Sequence, residues 1–330
     1  MKPLKVSVCM TVYNQVNYVA QAIESVLYQS VGAPFELVIG EDRSTDGTLA
    51  ICEEYQRRHQ GVIRLHRRAQ NLGCAGNQAA AWAACRGEYI AMLDGDDYWS
   101  SPLKLRTQVA FLDQHPEYSM CFTRCGLVSD KGDRHDRWPY RENLKTTLQT
   151  ADILRHNLIA NCSVMYRPAF RRLPEWLVAL PYCDIAMHVL HSLGGPIGYI
   201  PDDMAVYRLH GTNYFEGMSF LSRVEWSSKL YAAMAEHLPE PHASQAAQVL
   251  LMMRLGMVVK DARDSLALWG SLPWRYRLTW PSIPLEQIYH LWVIRKPEKN
   301  TKGGADDDTA DDRRSGVRGA PLGGGRTTGD

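Results

Sequence analysis

Residues 94–97 read Asp-Gly-Asp-Asp, which places three carboxylates within four positions. Like charges this close repel one another unless something positive sits among them, and hard divalent cations take oxygen ligands. Asp94 and Asp96 are two apart and can turn toward one ion around the Gly95 bend. The structural alternative is an acidic turn in which Asp96 or Asp97 caps the next helix. Polar side chains gather at other points of the chain: Thr11, Tyr13 and Asn14; Glu41 and Asp42, with Ser44 and Asp46; Asn71; Asp184; and Arg208 with His210. Each could simply cap a strand or helix, and a lone His is usually structural. Trp99, just after the acidic turn, is either a core residue or a ring at the edge of a site.

The elements around these residues follow from hydrophobic periodicity. Tyr89–Leu93 is a short apolar run, as a buried strand requires, and the carboxylates close it. Lys5–Thr11, Phe35–Gly40 and Val62–His66 read as three earlier strands. Between them lie helices: one with apolar positions Val19, Ile23, Val26 and Leu27, with Asn17 as its expected cap, one running through Glu53–Arg58, and an Ala-rich one from Ala75 to Cys85 with Trp82 in its core face. Strand-helix alternation of this length implies βαβ units and a mainly parallel sheet. In such sheets ligands lie beyond the carboxyl ends of the strands. Thr11, Tyr13, Asn14, Glu41, Asp42, Asn71, Asp94 and Asp96 all fall at those ends, so four strand ends supply one crevice.

The second half is expected to hold a helix over 101–115, strands over 118–128 and 160–166, and a surface loop or ribbon over 130–144. A helix from Thr150 to Arg155 follows, then one from Pro181 to Leu193 with Asp184 on its first turn. Two short strands close the stretch, Gly198–Pro201 and Met204–Leu209. From Glu225 the pattern is helical. Residues 250–296 carry seven Lys or Arg against three acids, together with Trp269, Trp274, Trp280 and Trp292. That composition suits a helical cap on the sheet or peripheral contact with an anionic membrane. Residues 297–330 hold almost nothing apolar and are expected to be disordered.

Composition narrows the classes of function. The 330 residues are 45% hydrophobic and 22% charged, as in an ordinary globular protein. A net charge of +1 makes no electrostatic case for nucleic acid. The eight cysteines, at 9, 52, 74, 85, 121, 125, 162 and 183, contain no C-x-x-C pair, which removes zinc and thioredoxin-like readings and suits a reduced, cytoplasmic setting. The apolar run after Lys2 is broken by Thr11, Asn14 and Gln15, unlike a secretory leader. No stretch reaches the roughly 18 apolar residues of a membrane span; the nearest, Ala246–Val259, carries Arg254. The expected location is therefore cytoplasmic, with peripheral contact at the inner membrane face open through residues 250–296.

Several stretches together resemble the family 2 glycosyltransferases of GT-A fold: VSVCMTVYNQ at 6–15, SVLYQS at 25–30, FELVIGEDRSTDGT at 35–48, NLG at 71–73 and RGEYIAMLDGDDYW at 86–99. NCSVMYR at 161–167, Asp184 and AVYRLH at 205–210 extend the likeness, which covers residues 4–215. The resemblance implies an α/β, Rossmann-like catalytic domain over 1–215, with a nucleotide-sugar half (1–100) and an acceptor half (101–215). A helical region over 216–296 and the tail would follow.

The resemblance also implies roles. Thr11, Tyr13, Asn14, Asp42 and Asn71 would hold the nucleotide, Asp42 by accepting the uracil N3–H. Asp94 would lie near the ribose and metal. Asp96 would bind a divalent cation, Mn²⁺ or Mg²⁺, with His210 nearby. Asp184 would deprotonate an acceptor hydroxyl, and Arg208 and Trp99 would face phosphate or acceptor. The implied reaction is inverting transfer from an NDP-sugar, UDP-sugar favoured, to a glycan or lipid-linked hydroxyl in cell-surface or extracellular glycan synthesis. A polyprenol-phosphate sugar synthase and a catalytically silent nucleotide-sugar-binding scaffold are the alternatives. The chain departs from the family pattern at Thr11, where many members have proline, at Glu41, where an Asp is usual, and at Cys183, where an acid often precedes the base.

Overall fold

The structure, a computed structural model, describes residues 3–129, 132, 134–135, 144–211 and 218–260. Its first half is β1 (Val6–Val12), α1 (Val19–Leu27), β2 (Phe35–Glu41), α2 (Thr48–Arg58), β3 (Ile63–Arg67), α3 (Gly73–Ala84) and β4 (Tyr89–Asp94). These strands pair in parallel in the order β3-β2-β1-β4, as the alternation of apolar runs and helices requires. One detail differs. Asn17 does not cap α1; Tyr18 occupies the cap position and makes no side-chain cap bond. The carbonyl of Gln15 instead accepts the Tyr18 and Val19 N–H groups at 3.0 and 2.9 Å, so a backbone turn satisfies donors that a cap would have served.

The second half adds β5 (Tyr98–Trp99), α4 (Lys104–Gln114), β6 (Met120–Ser129), β7 (Arg134–His135), β8 (Thr147–Leu148) and α5 (Thr150–Arg155). A 3₁₀ turn (Asn161–Ser163) leads into β9 (Val164–Tyr166), followed by α6 (Glu175–Val178), α7 (Asp184–Ser192), β10 (Ile197–Leu209), α8 (Phe220–His237) and α9 (His242–Lys260). The sheet continues from β4 as β9-β6-β10-β5, with β7 on β6 and β8 on β10. β9 runs antiparallel to both β4 and β6, whereas β10 is parallel to β6.

The two short strands expected over 198–209 are one strand, β10, with register shifts at Ile200, Asp203 and Ala205. Pro201 has no N–H for the ladder, and Asp202 and Asp203 are exposed, so the irregularity bends the strand without ending it. The membrane-contact expectation beyond Lys260, the disorder of 297–330 and most of the 130–144 loop lie outside the described residues.

Period-two alternation divides the apolar residues between the faces of the sheet. Cys9, Val38, Ile90 and Met92 pack with α3, α5, α7 and the helices α8 and α9. Val8, Met10, Leu37, Ile39, Ala91 and Leu93 pack on the other face with α1 and α4. Trp82 is fully buried, edge-on to Tyr166 with ring centres 5.5 Å apart, and donates to the Phe170 carbonyl. Among the described residues no helix is long and apolar enough to cross a membrane. All eight cysteines are free thiols.

The amino ends of the parallel strands are fastened by one buried acid. Glu36 accepts from Ser7 Oγ at 2.6 Å and Arg86 N at 3.0 Å on one oxygen, and from Arg64 and Arg86 guanidinium groups on the other. Burial pushes its pKa up, but the bonds from Arg86, Ser7 and Arg64 outweigh that and hold it below the usual value. A carboxyl with a depressed folded pKa contributes fully above the ordinary glutamate value of about 4.3 and loses that contribution as pH falls through the folded value. Glu36→Gln is expected to cost about 1–3 kcal/mol at neutral pH, since Arg64 and Arg86 still reach water. It should also flatten the acid limb of a denaturant-measured stability profile.

Candidate active site

Strand register builds the site. Thr11 pairs with Asp94 on one side and Gly40 on the other, and Val12 pairs with Glu41, so the carboxyl ends of β4, β1 and β2 form one shelf. Asp94 is held from two directions: Thr11 Oγ1 donates to Oδ1 at 2.9 Å, and Asn161 Nδ2 donates to Oδ2 at 2.8 Å. Burial first, then the Asp96 charge, push the Asp94 pKa up to about 6, against the pull of those two bonds; Asp184 adds to the push. Asn161, from the 3₁₀ turn before β9, was assigned no role from sequence. Its stretch, NCSVMYR, was the available signal.

The turn after Asp94 is closely packed. Gly95 N donates to the Thr11 carbonyl, and a Cβ on Gly95 would lie 2.3 Å from Gln15 Oε1 and 2.4 Å from Val12 Cγ1. Only glycine fits there. Neither Asp96 nor Asp97 caps a helix, because α4 begins at Lys104. Asp97 points inward at 1% exposure and accepts from Arg208 N at 2.9 Å; burial, then neighbouring Cys162 and the other acids, push its pKa well up. Asp96 Oδ2 lies 3.0 Å from His210 Nε2, and its carbonyl accepts from Arg208 Nε at 2.8 Å.

Arg208, expected to face phosphate or acceptor, is engaged with the protein. Besides Asp96 it bonds Gln21 Oε1 at 2.6 Å, and its guanidinium lies 4.9 Å from the Tyr18 ring centre and 5.2 Å from that of Tyr98. Trp99, the other acceptor candidate, is 4% exposed; its Nε1 donates to the Cys162 carbonyl, and the buried Lys104 ammonium lies 4.3 Å from its ring centre. Its ring is therefore part of the core and offers no face to a sugar.

On the β1–β2 side, the loops after the two strands are laced together. Asn14, at φ 53°, accepts from Thr45 N at 2.8 Å and donates its own N–H to Ser44 Oγ. Asp46 takes the Val16 and Thr48 N–H groups. Tyr13 stands 47% exposed beside them. Asp42 is buried, and its two oxygens accept the Leu72 and Gly73 N–H groups at 2.8 and 2.9 Å. Asn71 Nδ2 in turn donates to the Asp42 carbonyl. Asp42 and Asn71 thus build the entry to α3 as well as lining this corner. Arg68 reaches the same corner: its Nε bonds Asn77 Oδ1 at 3.2 Å, and its Nη2 is buried with no partner.

Asp184 opens α7 after Cys183. Burial raises its pKa, while the N–H groups of Ile185 and Asp184 itself pull it down; Oδ1 is buried with no partner. Its charge reaches Asp94. Burial pushes the thiol of Cys74, on the first turn of α3, well up, and the charges of Asp94, Asp184, Asp96 and Asp42 add to the push. Among the described residues no three His, Cys, Asp or Glu side chains are arranged around one point as a metal cage.

The model of the Glycosyl transferase family 2 matches residues 7–173, half of the chain. The chain belongs to glycosyl transferase family 2. An uncharacterized protein of Mycobacterium tuberculosis is 34% identical over 219 residues, 66% of this chain and 62% of that protein. The chain thus spans less than two thirds of that relative's length. TuaG of Bacillus subtilis, named for teichuronic acid biosynthesis, is 31% identical over 164 residues, 50% of this chain and 62% of its own.

Two solved structures share the fold. S. aureus TarS 1–349 in complex with UDP-GlcNAc superposes with a TM-score of 0.58 at 18% identity, over 87% of this chain and 79% of that one. The mannosyltransferase PcManGT of Pyrobaculum calidifontis, in complex with GDP-Man and Mn²⁺, gives 0.51 at 16% identity, over 84% and 83%. The GT-A architecture expected for the family is the one observed.

Because Asp42 takes two amides at the start of α3, its loss has a structural cost apart from any ligand. Asp42→Ala is expected to lower stability by about 1–2 kcal/mol, as loss of a helix cap does, in a denaturant titration without nucleotide. Asp42→Asn, which keeps one acceptor oxygen, should recover part of it.

Proposed function

We propose that the chain transfers a sugar from a nucleoside-diphosphate sugar, a UDP-sugar by preference, to a hydroxyl acceptor by direct displacement with inversion, in the synthesis of a cell-surface or extracellular glycan. The observation that carries the reading is the pair Asp94 and Asp96 at the carboxyl end of β4, with Thr11 and Asn161 on Asp94 and His210 on Asp96, where open α/β sheets bind ligands. The relation to TuaG supports a glycan product, and the fold shared with a UDP-GlcNAc complex supports the donor class.

The donor set fits a hard cation. Asp94 and Asp96 offer carboxylate oxygens, and His210, 3.0 Å from Asp96, offers an imidazole nitrogen. One or two carboxylates with substrate phosphate oxygens is how Mg²⁺ binds in nucleotide sites, and the fold shared with PcManGT, solved in complex with Mn²⁺, supports a divalent cation here. When bound, such an ion neutralises the charge that develops on the departing diphosphate.

The chain's own residues supply the rest. Thr11 and Asn161 hold Asp94 in one rotamer at the donor side. Tyr13, Asn14, Asp42 and Asn71 form the corner for the base. Arg68, with an unpartnered Nη2 in that corner, is a donor suited to a base carbonyl. Asp184 takes the acceptor's proton: its Oδ1 is unpartnered, and its raised pKa makes it a stronger base than an exposed aspartate. One base on the acceptor side and one displacement invert the anomeric centre.

A thermal-shift screen of nucleotide sugars with Mn²⁺ identifies the donor, since a cognate ligand raises the melting temperature by mass action. With that donor, Asp184→Asn is expected to lower kcat by about 10²–10⁴-fold while UDP and Mn²⁺ binding stay at the wild-type level. Asp96→Ala should lose metal-dependent binding. Full turnover by both variants would sink the proposal.

A further inference from the structure

The side chains around Asp96 form a closed circuit through a residue that has had no role so far. Asp96 is gripped twice: its carboxylate by His210 at 3.0 Å, and its carbonyl by Arg208 Nε at 2.8 Å. Those two residues are joined by Tyr18. The Tyr18 ring stacks on the His210 imidazole, centres 4.7 Å apart and planes 23° from parallel, and the Arg208 guanidinium lies over the same ring at 4.9 Å. Tyr98 adds a second ring beside Arg208 at 5.2 Å. The order is Tyr98, Arg208, Tyr18, His210, and then the Asp96 carboxylate.

We infer that Tyr18 is the positioning residue of the cation site: its ring, held between Arg208 and His210, sets the imidazole and with it the Asp96 carboxylate. The inference rests on the metal-assisted reading above. Three segments distant in sequence meet here, Asp96 being 112 residues from Arg208 and 114 from His210. His210 lies one residue past the end of β10, so its ring is oriented by what packs on it. Tyr18, by contrast, is anchored by its backbone. It is the residue before α1, its N–H donates to the Gln15 carbonyl at 3.0 Å and its carbonyl accepts from Ala22 N at 3.1 Å. A ring fixed at a helix start can therefore define the position of an imidazole at a strand end. Gln21, one turn into α1, holds the far side of the guanidinium, so the same helix grips both members of the pair. Stacked aromatic and guanidinium groups attract through the ring quadrupole, and partners that orient a metal's ligands typically govern its affinity.

The test is Mn²⁺-dependent UDP binding by calorimetry, alongside thermal melts, with GDP as the probe should UDP not bind. Tyr18→Phe keeps the ring and should bind within about two-fold of wild type, whereas Tyr18→Leu keeps bulk without a π face and should weaken the Mn²⁺ dependence by about 10–100-fold. Tyr18→Met, which likewise lacks a ring face, should move the same way, and it answers the question if Tyr18→Leu fails to fold. In turnover, the loss should appear as a raised Mn²⁺ requirement that added metal partly restores, which a general loss of stability would not produce. Wild-type Mn²⁺ dependence in folded Tyr18→Leu or Tyr18→Met overturns the inference, as does Tyr18→Phe binding as weakly as Tyr18→Leu. No metal-dependent nucleotide binding by the wild type overturns the functional reading and this inference together.

Discussion

Three carboxylates packed into one turn repel one another, and the site is arranged around containing that repulsion. Burial first, and the neighbouring charges after it, push Asp94 up to about 6 and Asp97 well above the usual range. Each acid is handled differently. Asp94 takes two neutral hydrogen bonds, from Thr11 and Asn161. Asp96 lies against an imidazole. Asp97 turns into the interior and accepts a backbone N–H from β10. Asp94 and Asp96 thus keep their carboxylate oxygens together at the strand end, and oxygen is the ligand a hard cation takes.

That containment requires the whole sheet. Thr11 comes from the end of β1, Asn161 from the turn before β9, and Arg208 and His210 from the end of β10. The parallel half brings the acids and Thr11 to one edge. The antiparallel β9, inserted between β4 and β6, carries Asn161 across to Asp94, and the parallel pairing of β6 with β10 sends Arg208 and His210 toward the same edge. At the opposite edge Glu36 ties Ser7, Arg64 and Arg86 together, which fixes the register of β1 and β2. A one-residue slip in that register would turn every inward side chain outward and separate Thr11 from Asp94.

Several residues have structural partners that their types alone do not announce. Asp42, besides the base contact proposed for it, caps the turn into α3. Arg208 has the charge to meet a phosphate, yet it is laid between two tyrosine rings and bonded to Asp96 and Gln21. Trp99 follows the acidic turn directly, but alternation along β5 sends its ring into the core while Tyr98 faces Arg208. Asn17 had the right type for a cap and was displaced by the backbone turn at Gln15.

The sequence by itself determined the strand–helix alternation, the four polar strand ends, the acidic turn and the family, because these are local: periods of two and 3.6, turn residues, and motifs contiguous in the chain. The acids at 94 and 96 stand out in it for the same reason. The resemblance implies His210 near Asp96, and the structure puts the two 3.0 Å apart. Only the tertiary structure decided other meetings across 67 residues or more: Asn161 on Asp94, and Tyr18 between Arg208 and His210. Those pairings depend on strand order and register, which β9 and β10 set through long-range ladder bonds. Local propensity records that a segment is a strand, but not which neighbour it will find.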